Sequence, residues 1–481
     1  MKNEFKQAAH TIVLSDMHLA DAEPPHPGNS LWKRYKRPKF FTDRTFKRLL
    51  EHLSGSIEGQ IELVLNGDIF DFDSVMSIPD HPPFRVNWLE RRRGLKSQEA
   101  KSVYKIGVIL TDHYIWTEAI SEFIQRGNRV VFVIGNHDME LHWPAAQQKV
   151  LDMLKLPKPL RKNVRFCEWF YISNGDTLIE HGNQYDSYCL CSNPIHPLIR
   201  IGRTVVVRLP FGNLAGKLML NGMGLMNPHV DSSYIKSSLW EYAVFFYTYV
   251  MRTQPLLPWD WFWSACATLV ISVREGLLPA LRDPLTVEAR VEEIAERANT
   301  EPKIVRTLNA LHVHPAIFNP LRILRELWLD RAFFLAIIFL ASFQFFSFIN
   351  LFARVSFWWF LVPFLLLFPI FIFYARSIES GVTKVQKVMM GRVPISSRIA
   401  QVQRVIHGHT HYEMHVLIKN IELINTGTWS PAYKDVECTQ PMGRKCFAWI
   451  KPGPKGEGRV SELFEWADPE VRSIPVSEGA I

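Results

Sequence analysis

Five short blocks of residues with metal-binding side chains occur in order along the chain. They are Asp16-Met17-His18, Gly67-Asp68-Ile69-Phe70-Asp71, Gly135-Asn136-His137-Asp138, Glu180-His181-Gly182 and His407-Gly408-His409-Thr410-His411. Carboxylate, imidazole and amide oxygen together suit Mn²⁺, Fe or Zn²⁺ better than they suit Ca²⁺. The residue types therefore predict a dinuclear metal site.

Apolar strands must position these blocks. The first four blocks follow Val-, Ile- and Leu-rich runs at 11–15, 61–65, 129–134 and 177–180, and the last follows 402–406. Such runs are typical of buried strands, and ligands commonly bind where strands end. The spacing of two in Asp16-x-His18 and His409-x-His411 puts both side chains of each pair on one face if the strand continues.

Helices alternate with these strands. An amphipathic helix is predicted before residue 54, and a long helical stretch is predicted from about Gln98 to Gln125, stopped by Gly127. Strand-like runs return at 414–418, 421–425 and 446–450. This alternation predicts an α/β fold, a layered α+β sandwich.

A long, aromatic and mostly helical insertion divides this core. The predicted units are the first part of the core (1–185), a helical lid (186–330), a membrane hairpin (331–376), a return linker (377–400), the last part of the core (401–460) and an acidic tail (461–481). We expect the chain from about Pro452 onward to lie loosely on the surface, because it carries Pro, Gly and acidic residues.

The five blocks together resemble the calcineurin-like metallophosphoesterases, whose pattern is DxH, GDxxD, GNH[DE], H and GHxH. All five are complete and in order, within residues 11–185 and 402–450. The resemblance implies two metal ions that share one bridging carboxylate. The implied ligands are Asp16, His18, Asp68 and His411 for one ion, and Asp68, Asn136, His181 and His409 for the other, with Asp68 as the bridge.

The resemblance also implies a mechanism. Two cations, with Mn²⁺ expected and Fe or Zn²⁺ as alternatives, would activate a bridging water as the nucleophile. His137 would protonate the leaving oxygen, and Asp71 would orient its ring. His407 would line the phosphate pocket, although a structural hydrogen bond is an equal alternative for it.

Other polar residues near the blocks have plainer interpretations. Asp71 could instead cap a helix, and Asp138 is interpreted as a cap or turn residue rather than a catalytic one. The histidines outside the blocks are interpreted as ordinary surface or core residues. They are His142, His196, His229, His312 and His314.

Within the superfamily, SDMHL, NGDIFD and HGHTH with a lid before the last block look most like the UDP-2,3-diacylglucosamine hydrolases. Those enzymes cut a pyrophosphate on a membrane lipid. Two features depart from that family, which commonly has Arg in place of His137 and a far shorter lid. A lipid or lipid-linked substrate is therefore an expectation from resemblance alone.

Two uncharged stretches, 332–353 and 355–375, are each long enough to span a bilayer. Basic residues flank the pair, namely Arg322, Arg325, Arg331, Arg376, Lys384, Lys387 and Arg392. By the positive-inside rule, both ends and the catalytic domain face the cytoplasm, at an inner or cytoplasmic membrane. The alternatives are a hairpin buried in a soluble domain or one that dips into a single leaflet.

The net charge of +8 favours anionic partners. Residues 286–312 predict two short helices that resemble a helix-turn-helix, but no nucleic-acid partner is expected inside an enzyme insertion beside a membrane segment. The sequence leaves the oligomeric state open. The predicted function is a membrane-attached hydrolase of phosphate esters or pyrophosphates. The alternatives are a tethered phosphatase for soluble substrates and a non-catalytic metal-binding scaffold.

Overall fold

Two β-sheets packed face to face form the centre of the protein. The computed structural model describes residues 5, 7–22, 31–225, 227, 229, 239–283, 285–377, 385–454 and 458–478. The strands are β1 (His10–Leu14), β2 (Ile61–Asn66), β3 (Arg129–Val133), β4 (Val164–Cys167), β5 (Phe170–Ser173), β6 (Thr177–Glu180), β7 (Leu198–Ile201), β8 (Thr204–Val207), β9 (Arg404–His407), β10 (Glu413–Ile418), β11 (Ile421–Thr426), β12 (Cys446–Pro452), β13 (Arg459–Trp466), β14 (Val471–Ile474) and β15 (Ser477–Glu478).

Helices cover both sheets and form most of the insertion. They are α1 (Asp43–Ser56), α2 (Trp88–Arg93), α3 (Glu99–Asp112), α4 (Tyr114–Gln125), α5 (Pro144–Met153), α6 (Phe211–Leu218), α7 (Leu239–Phe245), α8 (Leu257–Gly276), α9 (Val287–Arg297), α10 (Pro302–Ala310), α11 (Pro320–Glu326), α12 (Leu329–Phe352), α13 (Leu361–Ser377) and α14 (Val385–Ala400). A π-helical turn, Phe246–Met251, continues α7.

The layers follow from the alternation of apolar side chains. One sheet has the order β14-β13-β12-β1-β2-β3-β4, and the other has the order β15-β10-β11-β9-β6-β5. Val13, Val64, Ile179 and Ile406 fill the space between the sheets. Helices α1, α3, α4 and α5 pack on the outer face of the first sheet, and α9, α10 and α14 pack on the second. The predicted α/β sandwich with a helical insertion is confirmed.

Parallel pairing brings the strand ends that carry the blocks together. In the first sheet β1, β2 and β3 run parallel, and in the second β6 and β9 run parallel. The carboxyl ends of these five strands lie at one edge of the sandwich. The five blocks follow directly, as the strand pattern predicted.

The expectation of a loose tail after residue 460 is wrong. Strand β13 pairs with β12 along its whole length, and β14 pairs with β13. Leu463 is fully buried, and Phe464 and Trp466 are also buried. The physical reason is the apolar set Leu463, Phe464 and Trp466, whose burial outweighs the acidic composition of the segment.

The helical stretch predicted from about Gln98 to Gln125 is present and consists of two helices, α3 and α4, separated at His113. His113 Nδ1 lies 2.8 Å from Asp43 Oδ1, and its Nε2 lies 2.9 Å from the carbonyl oxygen of Ala20. These tertiary hydrogen bonds fix the interruption. No Gly or Pro marks it in the sequence.

The lid is not entirely helical, because β7 and β8 form a two-stranded hairpin within it. The two helices predicted within 286–312 are confirmed as α9 and α10. They pack through Val291, Ile294 and Val305 against Phe170 and Leu178 of the second sheet. This pair is therefore a packing unit of the core.

Two helical segments, Leu329–Phe352 and Phe357–Tyr374, are long and apolar enough to cross a membrane. Only 11% and 6% of their most apolar windows are buried. Most of both windows is therefore not covered by other described residues of the chain. Lys384 and residues 378–383 of the return linker lie outside the described residues.

Candidate metal centre and active site

Five groups of described side chains could hold a metal ion, and two of them, at the edge where the five strands end, consist entirely of predicted ligands. The first metal group is Asp16, His18 and His411, and the second metal group is Asp68, His181 and His409. Within each group the ligand atoms all lie within 4.8 Å of one another. The structure thus brings together six of the seven predicted ligands, and each group is part of one of the two implied ligand sets.

The backbone around the ligands has an unusual conformation. Asp16, His18, Asp68, His409 and His411 have φ angles of 56°, 50°, 52°, 67° and 60°, in the left-handed region. Residues other than Gly rarely adopt it, and it concentrates at functional sites. The condition that the strands continue through the Asp-x-His and His-x-His pairs is therefore not met. Strand β1 ends at Leu14 and β9 at His407.

Two glycines make room for the second metal group. A Cβ atom on Gly67 would lie 2.3 Å from His181 Nδ1, and one on Gly135 would lie 2.3 Å from Asp68 Oδ1. Gly67 also has a φ of 78°. Any larger residue at either position would displace a predicted ligand.

Hydrogen bonds orient three of the four ligand histidines. His181 Nδ1 donates to the carbonyl oxygen of Asn66 at 2.9 Å, and His411 Nδ1 donates to that of His229 at 3.2 Å. Each Nε2 therefore keeps a lone pair for a metal. His409 Nε2 lies 3.1 Å from Asp186 Oδ2, which leaves its Nδ1 available.

The seventh predicted ligand, Asn136, has the chemistry of a metal ligand. Its Oδ1 atom is buried and bonds to no residue that the structure describes. Its Nδ2 atom faces Asn213 Oδ1 at 3.4 Å. An unsatisfied buried oxygen costs about 1–3 kcal/mol, and a bound cation would satisfy it.

Interatomic distances also fit metal ions. His18 Nε2 and His411 Nε2 lie 3.1 Å apart, and His181 Nε2 and Asp68 Oδ2 lie 3.1 Å apart. Neighbouring ligand atoms at about 2.1 Å from one ion would be separated by roughly 3 Å. The residues present therefore fit two divalent ions, and the bridging role of Asp68 stays a prediction from the resemblance.

His137 lies beside the metal groups and is held by carboxylates. Its Nδ1 donates to Asp71 Oδ1 at 3.1 Å, and its backbone N–H donates to Asp68 Oδ1 at 2.8 Å. Burial would lower the pKa of His137, but Asp71 and Asp68 outweigh it and raise the pKa to about 10. The imidazole can therefore carry a proton at neutral pH.

Asp71 is an orienting carboxylate as well as a turn residue. It accepts hydrogen bonds from the backbone N–H groups of Asp73 and Ser74, both at 3.1 Å, and from His137. Burial would raise the pKa of Asp71, but His137 and His229 hold it well below its usual value. Asp71 therefore stays ionised beside His137.

Asp138 has the turn role expected for it. It accepts from the backbone N–H groups of Phe70 at 2.8 Å and of Ile69 and Gly135 at 3.2 Å. Burial and the Asp68 carboxylate raise its pKa to about 7. Asp138 ties the second block to the third.

His407 is buried below the site, with its Nε2 3.4 Å from Glu180 Oε2. Tyr185 and Gln184 donate hydrogen bonds to this carboxylate oxygen. This environment agrees with the structural alternative for His407, and its contact with phosphate stays a prediction.

Three residues of the site were not predicted from the sequence. Asp186 contacts His409. Asn213 donates to the carbonyl oxygen of Asn136 at 2.9 Å and to Asp73 Oδ2 at 2.7 Å. His229, interpreted above as an ordinary histidine, lies against His18 and Asp71, and that interpretation is wrong. None of the three belongs to a spaced motif, so only the folded lid reveals them.

Residues 9–205 match the family model of the calcineurin-like phosphoesterases. This segment is a calcineurin-like phosphoesterase domain, and its family consists of phosphoester hydrolases with dinuclear metal centres. The match ends beyond residue 185, our predicted end of the first core segment. No curated protein matches the chain. The resemblance to UDP-2,3-diacylglucosamine hydrolases stays a prediction.

Proposed function

We propose that the protein is a membrane-attached, metal-dependent hydrolase that cleaves a phosphate ester or pyrophosphate bond of a lipid or lipid-linked substrate. The observation that carries this proposal is the position of the apolar hairpin within the chain. It is inserted between His181 and His409, two members of the second metal group. A segment joined to the site at both ends keeps that site close to any membrane that the hairpin enters.

The chain's own residues account for binding and proton transfer. A pair of divalent ions, when bound, supplies an activated water and neutralises charge on the phosphoryl oxygens. His137 is oriented by Asp71 through Nδ1, so its Nε2 is the nitrogen that gives a proton to the leaving oxygen. Mn²⁺ is the proposed metal because the site combines imidazole, carboxylate and amide ligands.

The exposed surface of the hairpin supports membrane attachment. Phe348, Leu351 and Phe373 are 60%, 79% and 77% exposed. Contiguous apolar surface of this kind is unfavourable in water and marks contact with lipid or protein. A bilayer accommodates two helices of this length.

Aromatic residues of the lid support an interfacial position for α7 and α8. Trp240, Trp259 and Trp263 are 76%, 64% and 54% exposed. Tryptophan concentrates where a membrane meets water. Helix α8 also contacts the hairpin, because the rings of Phe262 and Phe333 lie 6.3 Å apart.

An apolar groove of about 380 Å³ lies between α8 and α11. Leu269, Leu321 and Leu324 line it, and Arg274 is the charged residue among its walls. Both helices contact α12 of the hairpin, so the groove is continuous with the surface proposed to face lipid. We assign an acyl chain of the substrate as its occupant.

Replacing Arg331–Arg376 with a short Gly/Ser linker tests the proposal. The variant should leave the membrane fraction and still hydrolyse bis-p-nitrophenyl phosphate with Mn²⁺ within about tenfold of wild type, or about 1.4 kcal/mol of barrier. Hydrolysis of extracted membrane lipids and UDP-linked lipids in vesicles should fall much further. A second variant, Leu324→Asp, keeps the hairpin but places a charge in the groove assigned to the acyl chain.

The outcomes separate the candidate functions. If both activities of the linker variant fall equally, the hairpin is a structural part of the fold, and the proposal that a lipid substrate enters from the membrane is rejected. If neither falls, a tethered phosphatase for soluble substrates is the better assignment. If the wild type hydrolyses neither the ester nor the lipids, both enzymatic functions are rejected and a non-catalytic metal-binding scaffold is the better assignment. The proposed orientation is tested by a reporter fused after Ile481, which should give a cytoplasmic signal.

A further inference from the structure

His229 belongs to the lid, outside the residues that match the family model, yet it reaches the metal site. Its ring stacks on the ring of His18, with centroids 3.6 Å apart and planes 19° apart. Its Nε2 donates to Asp71 Oδ2 at 2.8 Å. Its carbonyl oxygen accepts from His411 Nδ1 at 3.2 Å. One residue thus contacts two members of the first metal group and the carboxylate that orients His137.

The core fixes the backbone position of His229. Asn227 Oδ1 accepts from the backbone N–H of His229 at 3.1 Å, and Asn227 Nδ2 donates to the carbonyl oxygen of Pro431 at 3.0 Å. Next to Pro431, the backbone N–H of Ser430 donates to the carbonyl oxygen of Asp16 at 2.9 Å. His229 is therefore tied to the same loop that supports the first block.

The Asp71 carboxylate accepts hydrogen bonds from two histidines, one at each oxygen. Oδ1 accepts from His137 Nδ1, and Oδ2 accepts from His229 Nε2 and the Ser74 hydroxyl. With both oxygens engaged, the carboxylate cannot rotate freely, so the acceptor for His137 stays in place. Mutation of a hydrogen-bonding partner that orients a site residue commonly lowers activity or metal affinity by about 10–100-fold.

We propose that His229 is a positioning residue through which the lid completes the catalytic site. It holds the proton donor His137 through Asp71, and it holds His18 and His411 in the orientation that binds metal. The kinetic part of this inference rests on the proposed hydrolase function. The metal part does not, because it concerns the binding geometry of His18 and His411.

Two substitutions separate the roles of the side chain. His229→Phe keeps a ring against His18 and removes the donor to Asp71, whereas His229→Gln keeps a donor and removes the ring. We expect His229→Phe to lower kcat for bis-p-nitrophenyl phosphate by about 10–100-fold with little change in KM. We expect His229→Gln to recover most of kcat but to bind Mn²⁺ about tenfold more weakly. His196→Phe, in the lid but outside the site, should leave both values unchanged.

A double-mutant cycle tests whether His229 acts through Asp71. In an Asp71→Asn background, His229→Phe should lower kcat by less than about twofold, because the Asp71 carboxylate through which His229 acts is already absent. A full tenfold loss in that background would overturn the proposal, as would unchanged kcat and Mn²⁺ affinity in the single variants. If wild type hydrolyses no ester, the proposed function fails, and Mn²⁺ titration of His229→Gln alone decides the inference.

Discussion

The Nε2 atoms of His18 and His411 lie 3.1 Å apart and face each other. Because His411 Nδ1 donates to the carbonyl oxygen of His229, the neutral His411 ring carries a lone pair on Nε2. Asp16 Oδ1 lies 3.3 Å from the same atom. Three electron-rich atoms at these distances are unfavourable together unless a cation or a proton lies between them. A divalent ion bound by the first metal group would remove this repulsion.

Removing divalent metal should therefore destabilise the protein. At a free Mn²⁺ concentration near 100 times Kd, each site adds about 2.7 kcal/mol to the free energy of unfolding. Calorimetry of chelated and Mn²⁺-loaded protein should show a higher Tm for the loaded form. His411→Asn should shrink this difference. Equal Tm values with and without Mn²⁺ would contradict the metal assignment.

Asp68 and His137 should differ in their effect on metal content. Asp68→Ala removes the predicted bridge between the two metal groups, so both bound metal and activity should be lost. His137→Ala should lose activity while it keeps near wild-type metal, because His137 is not in the predicted ligand set. Elemental analysis of the purified variants measures this. Equal metal loss in both would assign His137 to the ligands instead.

Glu422 should control stability at acid pH. His415 Nε2 and Arg404 Nε each lie 2.7 Å from its carboxylate. Burial would raise the pKa of Glu422, but these partners outweigh it and lower the pKa from 4.5 to about 2. Because the folded-state pKa is lowered, this stabilisation is complete above about pH 4.5. It is lost as the pH falls toward 2, and it amounts to about 3 kcal/mol at most.

Glu422→Gln should therefore lower the free energy of unfolding at pH 7 and flatten its decline between pH 4.5 and 2. Urea unfolding at several pH values measures both effects. Glu470→Gln is the control, because Glu470 and its partner Arg472 are 67% and 62% exposed and exposed pairs contribute little. If the free energy of unfolding of Glu422→Gln still declines with falling pH as steeply as that of the wild type, another group causes the decline.

The last strands should contribute to stability. Leu463→Ala removes a fully buried side chain of β13, and such truncations cost about 2–5 kcal/mol. Glu462→Ala, at a partly exposed neighbouring position that pairs with Lys451, should cost under about 1 kcal/mol. Thermal unfolding of the two variants checks the difference. A loose tail would predict no effect from either substitution.

The sequence predicts which candidate ligands come together, because each follows an apolar strand and parallel strands bring their ends together. It does not predict the left-handed backbone of Asp16 or His411, because that conformation depends on contacts across the site. It also does not predict His229, whose partner Asp71 is far away in the chain. The break at His113 is missed for the same reason, since its hydrogen bonds to Asp43 and Ala20 are tertiary.

Strand β1 lies in the middle of its sheet, between β2 and β12. Its register places Val13 opposite Val64 on one side and Ala448 on the other. During synthesis on a ribosome, β1 therefore stays an open edge until more than four hundred further residues have emerged. His409 and His411 also emerge after the hairpin. Metal capture is consequently a late event in biogenesis, and a truncated product that ends in the hairpin would lack a complete catalytic centre.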